Sequence, residues 1–105
     1  MPGRILPIWI AFLQILFVAP AKPETIQIIV EQLEFVPKEV KAHVGDTIIW
    51  LNKDVLDHTA TAPDGFDVTI PAEQSGQLVL KKAGDVEYYC RFHPNMTGHI
   101  QVTVN

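Results

Sequence analysis

Residues 84–104 read GDVEYYCRFHPNMTGHIQVTV, and their pattern is the clearest indication of the fold. Apolar and polar side chains alternate over residues 86–90 and again over residues 100–104. A period of two is typical of β-strands that bury one face, so Cys90 should point inward from the end of the first strand. The stretch therefore predicts two strands joined by a short connection.

The remainder of the chain after residue 24 also has the composition of short strands. Gly45-Asp46, Pro63-Asp64-Gly65 and Gly84-Asp85 are turn signals, and a loop is predicted from Asn52 to His58. Short strands with turn signals about every ten residues predict an all-β sandwich or barrel. The other predicted strands are Thr25–Glu31, Val40–Val44, Thr47–Leu51, Val68–Ile70 and Gln77–Lys81.

The N-terminal segment has the pattern of a signal peptide. Arg4 precedes the apolar run Ile5–Val18, and Ala19-Pro20-Ala21 provides small residues for cleavage. The run is shorter than the ~20 apolar residues of a membrane-spanning helix. We therefore predict a signal peptide over residues 1–21 and one domain over residues 22–105, exported to the periplasm without stable membrane insertion after cleavage. An uncleaved membrane anchor is the alternative.

Charge and cysteine content narrow the classes of function. The chain has 12 acidic and 8 basic side chains and a net charge of −4, which argues against a nucleic-acid partner. A single cysteine excludes an internal disulfide. A domain this small needs a good core or another stabilising element, and a bound metal is a common one.

Four side chains predict a metal site. Cys90, His93 and Met96 form the pattern C-x2-H-x2-M, and His58 lies upstream. Two histidines, one cysteine and a weak axial methionine are the ligands of blue-copper electron-transfer sites. Thiolate and thioether are soft donors that suit Cu(I), and imidazole suits both oxidation states. One bound copper ion, alternating between Cu(I) and Cu(II), is the predicted cofactor.

The spacing of these residues has a local explanation. Pro94 should force a turn after the strand that ends at Cys90, because a central strand does not continue through proline. The loop can then bring His93 and Met96 back over the thiol, and Gly98 releases the chain into the last strand.

Other kinds of site fit the sequence less well. Structural zinc is bound by cysteine and histidine and gives methionine no role. A cysteine nucleophile needs a base and an orienting group, and methionine has no role there either. Neither a phosphate-binding glycine loop nor G-x-S-x-G is present, so an enzyme is not predicted. His43 and His99 are predicted at the surface, with a role in copper acquisition as the alternative.

Three segments resemble the cupredoxin family, of the plastocyanin–amicyanin type. They are Phe35-Val36-Pro37, Val44–Asn52 and Gly84–Met96, and His58 stands where the first ligand of the family stands. The C-x2-H-x2-M spacing is most similar to that of the amicyanins. The resemblance implies a Greek-key sandwich of about eight strands that holds one copper at one end.

The resemblance also implies details of the site. His58 and His93 should bind copper through Nδ1, and the far edge of His93 should reach solvent through an apolar patch. Phe92, Pro94 and Pro63 are candidates for that patch, and Tyr89 is a weaker candidate for a second electron route.

The chain departs from the family pattern at one position. The family often has asparagine after the first histidine, where its side chain ties the two ligand loops together. This chain has Thr59, which predicts a looser tie. Four carboxylates near His58 are either a solvated loop surface or a docking patch: Asp54, Asp57, Asp64 and Asp67.

The predicted function is single-electron transfer by a monomer between exported redox proteins. The donor and acceptor would be a dehydrogenase, a cytochrome or a photosynthetic complex. Copper storage or delivery without redox turnover is the alternative. A domain of a multicopper enzyme does not fit, because the chain has no room for the further copper ligands that such catalysis needs.

Overall fold

A computed structural model describes residues 3–4, 13–14 and 22–104 of the chain. The signal peptide predicted over residues 1–21 falls almost entirely outside the described residues, so its cleavage and the domain boundary stay predictions. Within the described part of the chain, no helix has the length and apolar character needed to cross a membrane.

Residues 22–104 fold into nine strands, one more than the number expected. The predicted bounds of the first strand are confirmed, and the break at Pro37 is also found, with a cis bond after Val36. In chain order the strands are β1 (Thr25–Glu31), β2 (Glu34–Val36), β3 (Glu39–His43), β4 (Thr47–Asn52), β5 (His58–Thr61), β6 (Asp67–Ile70), β7 (Ser75–Val79), β8 (Gly84–Cys90) and β9 (His93–Thr103).

The strands form two mixed sheets, which confirms the all-β sandwich. One sheet has the order β2-β1-β4-β7 and the other has the order β3-β9-β8-β5-β6. Strands β1 and β4 are parallel, as are β3 and β9, so each sheet joins distant parts of the sequence. The inward faces of both sheets supply one core that includes Ile28, Ile48, Trp50, Tyr88 and Ile100.

An aromatic cluster fills the middle of this core. Trp50 packs edge-on against Tyr88, with ring centroids 5.6 Å apart, and its Nε1–H donates to Tyr88 Oη at 3.2 Å. Burial raises the pKa of Tyr88 to about 12, although the bond from Trp50 acts in the opposite direction. Tyr88 is therefore a neutral, hydrogen-bonded element of the core at physiological pH.

Gly98 lies inside β9, so the predicted end of a loop at this residue is wrong. It faces Tyr88 on the neighbouring strand, and a β-carbon at residue 98 would overlap the Tyr88 ring. The glycine therefore makes room for an aromatic side chain rather than turning the chain.

The turn before β4 is organised by a buried carboxylate. Asp46 accepts hydrogen bonds from the backbone N–H groups of Glu24, at 2.9 Å, and His43, at 2.8 Å. The bond from Glu24 is the largest influence, and the bonds together outweigh burial and lower the pKa of Asp46.

His43 is exposed as predicted, whereas His99 is half-buried, with Nε2 3.7 Å from Asp85 Oδ1.

Candidate metal centre

His58 is the first residue of β5, so the prediction that it lies on a loop is wrong. This strand has the sequence HTAT and is buried at all four residues. It pairs with β6 and contacts β8 within the five-stranded sheet. The apolar alternation that reveals other strands is absent here, because both faces of β5 are covered and most of its side chains are polar.

The other predicted ligands lie on the hairpin of β8 and β9. Cys90 ends β8, His93 begins β9, and Arg91 and Phe92 connect them. Cys90 pairs with His93, whereas Tyr89 pairs with Thr97, so residues 94–96 form a bulge in β9. The predicted loop after Pro94 is thus an irregular part of a strand.

The structure brings three predicted ligands together. Cys90 Sγ lies 3.7 Å from Nδ1 of His58 and 3.8 Å from Nδ1 of His93. These three atoms all lie within 4.8 Å of one another, and no other such group of histidine, cysteine and carboxylate ligand atoms occurs among the residues that the structure describes. Cys90 and His58 are fully buried, and His93 is half-buried.

The distances suit a single ion between the three atoms. Metal bonds of ~2.0 Å to nitrogen and ~2.3 Å to sulfur, about 120° apart, separate the two donor atoms by about 3.7 Å. The observed separations of 3.7 Å and 3.8 Å have this value. The donor set of two imidazoles and one thiol therefore fits a trigonal metal site such as that of copper.

Met96 lies in the bulge, three residues after His93. It is buried, with 4% of its surface exposed, and belongs to the hydrophobic core. Its assignment as the fourth ligand stays a prediction.

Asp54 holds the second nitrogen of His58, a role that the sequence analysis missed. Nε2 of His58 lies 2.8 Å from Asp54 Oδ2. Burial opposes ionisation of Asp54, but the bonds from His58 and from the backbone N–H groups of Gln32 and Leu33 outweigh it and lower its pKa. An ionised Asp54 can only accept, so Nε2 of His58 is the donor of this bond, and Nδ1 is the ring nitrogen that faces Cys90 Sγ.

Asn52 fixes the connection between β4 and β5. Its Nδ2 donates to the carbonyl of Leu56 at 2.8 Å and to that of Ile70 at 3.1 Å, and its Oδ1 accepts from the N–H of Asp54 at 2.9 Å. The connection that carries Asp54 is thereby anchored to the end of a core strand. The only sequence signal for the contact of Asp54 with His58 is that both lie on the same short connection, four residues apart.

Thr59 connects the two ligand-bearing segments. Its backbone N–H donates to Cys90 Sγ at 3.4 Å, and its Oγ1 accepts from the N–H of Arg91 at 2.9 Å. The second distance is ordinary for a hydrogen bond. The tie that is expected of asparagine in the family is therefore made here by a hydroxyl.

The surface near His93 carries exposed apolar side chains. Phe92 is 54% exposed, and the Arg91 guanidinium lies 5.5 Å from the centre of its ring. Pro94 and Pro63 are exposed as expected, and Tyr89 is half-buried. In the connection before His58, the apolar side chains of Val55 and Leu56 are also exposed, which the sequence did not reveal.

The four carboxylates near His58 do not form one kind of surface. Asp54 is half-buried against His58, and Asp64 is an exposed turn residue. Asp57 accepts a hydrogen bond from the N–H of Ala72 at 2.8 Å. Asp67 accepts from Thr61 at 2.7 Å and from Arg91 at 3.1 Å. Asp54, Asp57 and Asp67 thus take part in local structure.

Comparison with known proteins identifies the family. The sequence model of the Cupredoxin-like domain family matches residues 4–102. The methylamine utilization protein MauL of Methylorubrum extorquens is 30% identical over 96 residues, which cover 87% of this chain and 84% of MauL. The amicyanin of Paracoccus denitrificans is 26% identical over 80 residues, which cover 70% of this chain and 61% of that protein.

Solved structures show the same relationship. A proline-to-alanine mutant of amicyanin in the oxidized state is 26% identical, with a TM-score of 0.68, and the match covers 74% of this chain and 81% of that one. A methionine-to-alanine mutant of amicyanin in the Cu(I) form is 25% identical with the same TM-score of 0.68 and the same coverage of 74% and 81%. The chain belongs to the cupredoxin-like family.

Proposed function

We propose that this protein carries single electrons between exported redox proteins, with one copper ion bound by His58, Cys90, His93 and Met96. It acts as a carrier and not as an enzyme. The observation that supports this most is the placement of the buried Cys90 Sγ between two imidazole Nδ1 atoms, at 3.7 Å and 3.8 Å.

The donor set suits copper in both oxidation states. A thiolate and a thioether favour Cu(I), and imidazole nitrogens bind Cu(I) and Cu(II). When bound, copper supplies a one-electron redox couple. The protein contributes donors that are already in place, since Asp54 orients His58 and the N–H of Thr59 bonds to the sulfur of Cys90. Donors held in this way need little rearrangement when the charge of the site changes.

His93 is the proposed point of contact with partners. It is half-buried, whereas Cys90 and His58 are completely covered. The exposed side chains of Phe92 and Pro94 flank it in the sequence and offer an apolar surface for a transient partner. The name of MauL, a methylamine utilization protein, favours a dehydrogenase as donor over a photosynthetic complex.

The signal peptide predicted over residues 1–21 supports export, and we propose the periplasm as the site of function. The protein would act there as a monomer.

The test is to produce the chain with its native N-terminus, purify the exported protein and load it with Cu(II). We expect an intense visible thiolate-to-copper absorption band and a reversible one-electron wave in voltammetry. Cys90→Ser should abolish the band, because the thiolate supplies the main covalent bond of such a site. Met96→Gln should retain copper and lower the reduction potential, because a harder axial donor favours Cu(II).

Three results would contradict the proposal. The wild-type protein could lack the band, or Cys90→Ser could keep it, and either result would remove the ligand assignment. Negligible electron self-exchange, together with copper transfer to an acceptor apoprotein, would instead favour copper storage or delivery.

A further inference from the structure

A closed ring of hydrogen bonds links the two ligand-bearing segments. The backbone N–H of Arg91 donates to Thr59 Oγ1 at 2.9 Å, and the hydroxyls of Thr59 and Thr61 lie 2.9 Å apart. Thr61 Oγ1 donates to Asp67 Oδ1 at 2.7 Å, and the same oxygen accepts from Nε of Arg91 at 3.1 Å. Arg91 thus closes the ring, because its backbone N–H donates to Thr59 and its side-chain Nε donates to Asp67.

Each bond in this ring has only one possible direction. The single hydroxyl proton of Thr61 goes to Asp67, so Thr61 must accept the proton of Thr59. Thr59 in turn accepts from the N–H of Arg91. The bonds from Thr61 and Arg91 lower the pKa of Asp67, which keeps it an acceptor. The bonds from the Arg91 N–H through Thr59 and Thr61 to Asp67 run in one direction, and bonds in such a chain polarise and strengthen one another. The bond from Arg91 Nε reaches Asp67 from the other side.

Within β5 the two threonine side chains of the ring lie on the face opposite His58. Alternate residues of a strand face opposite sides, so Thr59 and Thr61 share one face and His58 and Ala60 share the other. Both threonines are buried. Leaving a buried hydroxyl without a hydrogen-bond partner lowers stability, so the ring resists opening.

We propose that this ring positions the β8–β9 hairpin relative to β5, and that Thr61 and Asp67 are positioning residues for the copper site. The proposal rests on the proposed function. Thr59 touches both segments, since its N–H bonds to Cys90 and its hydroxyl bonds to Arg91. Thr61 and Asp67 hold that hydroxyl in place and fix the far end of Arg91. The short side chain of Thr59 thereby keeps β5 and the β8–β9 hairpin in register. The threonine at this position had predicted a looser tie between the two segments.

The experiment compares Thr61→Val with Thr61→Ser and Thr69→Val. Valine has nearly the shape of threonine but lacks the hydroxyl, serine keeps the hydroxyl, and Thr69 is an exposed residue of β6. Competition with a chromophoric chelator gives the Cu(I) affinity. Hydrogen exchange in the metal-free protein reports the protection of the Arg91 amide, and absorption reports the thiolate-to-copper band.

We expect Thr61→Val to weaken Cu(I) binding about 10-fold, to shift the band and to speed exchange of the Arg91 amide. Thr61→Ser should restore all three properties, and Thr69→Val should leave them unchanged. Asp67→Ala removes an exposed member of the ring and should act in the same direction, so it provides a test if Thr61→Val does not fold.

A Thr61→Val or Asp67→Ala protein with reduced stability but unchanged Cu(I) affinity and spectrum would overturn the proposal, because the ring would then be structural only. Failure of the proposed function can be told apart from failure of this positioning proposal, because the wild-type protein would then lack the thiolate-to-copper band before any substitution is made.

Discussion

Strands β4 and β5 both lie in the interior, but they have opposite chemistry. In β4, buried and half-buried residues alternate, and Ile48 and Trp50 contribute to the hydrophobic core. In β5 all four residues are buried, and only Ala60 is apolar. Strand β4 is stabilised by removing apolar surface from water, an effect that has little directional preference. Strand β5 depends on hydrogen bonds, which require particular distances and angles.

This difference explains why β5 can hold one of the metal donors, His58, in a fixed position. Its polar side chains have definite partners, such as Asp54 for His58 and Thr61 for Thr59. Within the part of the chain that the structure describes, no buried side-chain nitrogen or oxygen lacks a hydrogen-bond partner. A buried polar strand costs more to assemble than an apolar one, but once assembled it fixes where its groups lie.

The largest effect on stability should come from β4. Ile48→Ala is expected to lower the free energy of unfolding by about 2–5 kcal/mol, because it leaves a cavity in a fully packed site. Cu(I) affinity of the folded protein should stay the same. Urea unfolding of the metal-free protein measures the first quantity, and chelator competition measures the second. Ile49→Ala, at a half-buried position, should cost less.

If Ile48→Ala weakened copper binding as strongly as a substitution at the metal site, then β4 would also position the metal donors, and the contrast drawn between β4 and β5 would be wrong.

The second-largest effect should be on metal affinity, through Asp54, the hydrogen-bond partner of His58 in β5. Asp54→Ala should weaken metal binding about 10- to 100-fold, because His58 loses the group that orients its ring. The affinity of the metal-free protein for Cu(I) and for Co(II) is the measurement. Asp64→Ala, at an exposed turn, is the matched control and should leave both affinities unchanged. Equal affinities for the two variants would mean that packing alone orients His58.

The smallest effect should appear at the other end of the core, where Asp46 precedes β4. Its pKa is lowered in the folded protein, so its contribution to stability is present above about pH 4 and is lost as the pH falls through the folded-state pKa. Asp46→Asn should therefore be less stable than wild type at pH 7, and the difference should shrink toward pH 3. Urea unfolding at pH 7, 5 and 3 checks this, and a difference that grows on acidification would contradict it.

The sequence predicts strands well where burial follows a period of two. The bounds of β1 are as predicted, and β4 differs by one residue, Asn52. Strand β5 escapes prediction because a strand that is covered on both faces and rich in polar residues has no such period. The start of β9 is also missed, since Pro94 is accommodated in a bulge where it does not interrupt the regular pairing.

The part of the metal site that could be predicted is the part whose residues are close in the sequence. Cys90 and His93 are close in the sequence, so their spacing carries information about their contact, and the structure brings them together with His58. The contacts of Thr61 with Asp67 and of Asp67 with Arg91 depend on how β5, β6 and β8 align. Register between strands is a tertiary property, and one sequence does not specify it locally.

The hairpin of β8 and β9 has a consequence for the order in which the molecule assembles. Cys90 and His93 are separated by two residues, so little chain entropy is lost when they meet, and hairpins form within about 1–10 μs. His58 lies 32 residues before Cys90 and joins them only after a long loop has closed. Parallel pairing of β1 with β4 and of β3 with β9 adds further slow steps. We therefore expect a newly synthesised chain to form a partial, two-donor site early in folding, with docking of β5 as the late event that completes it.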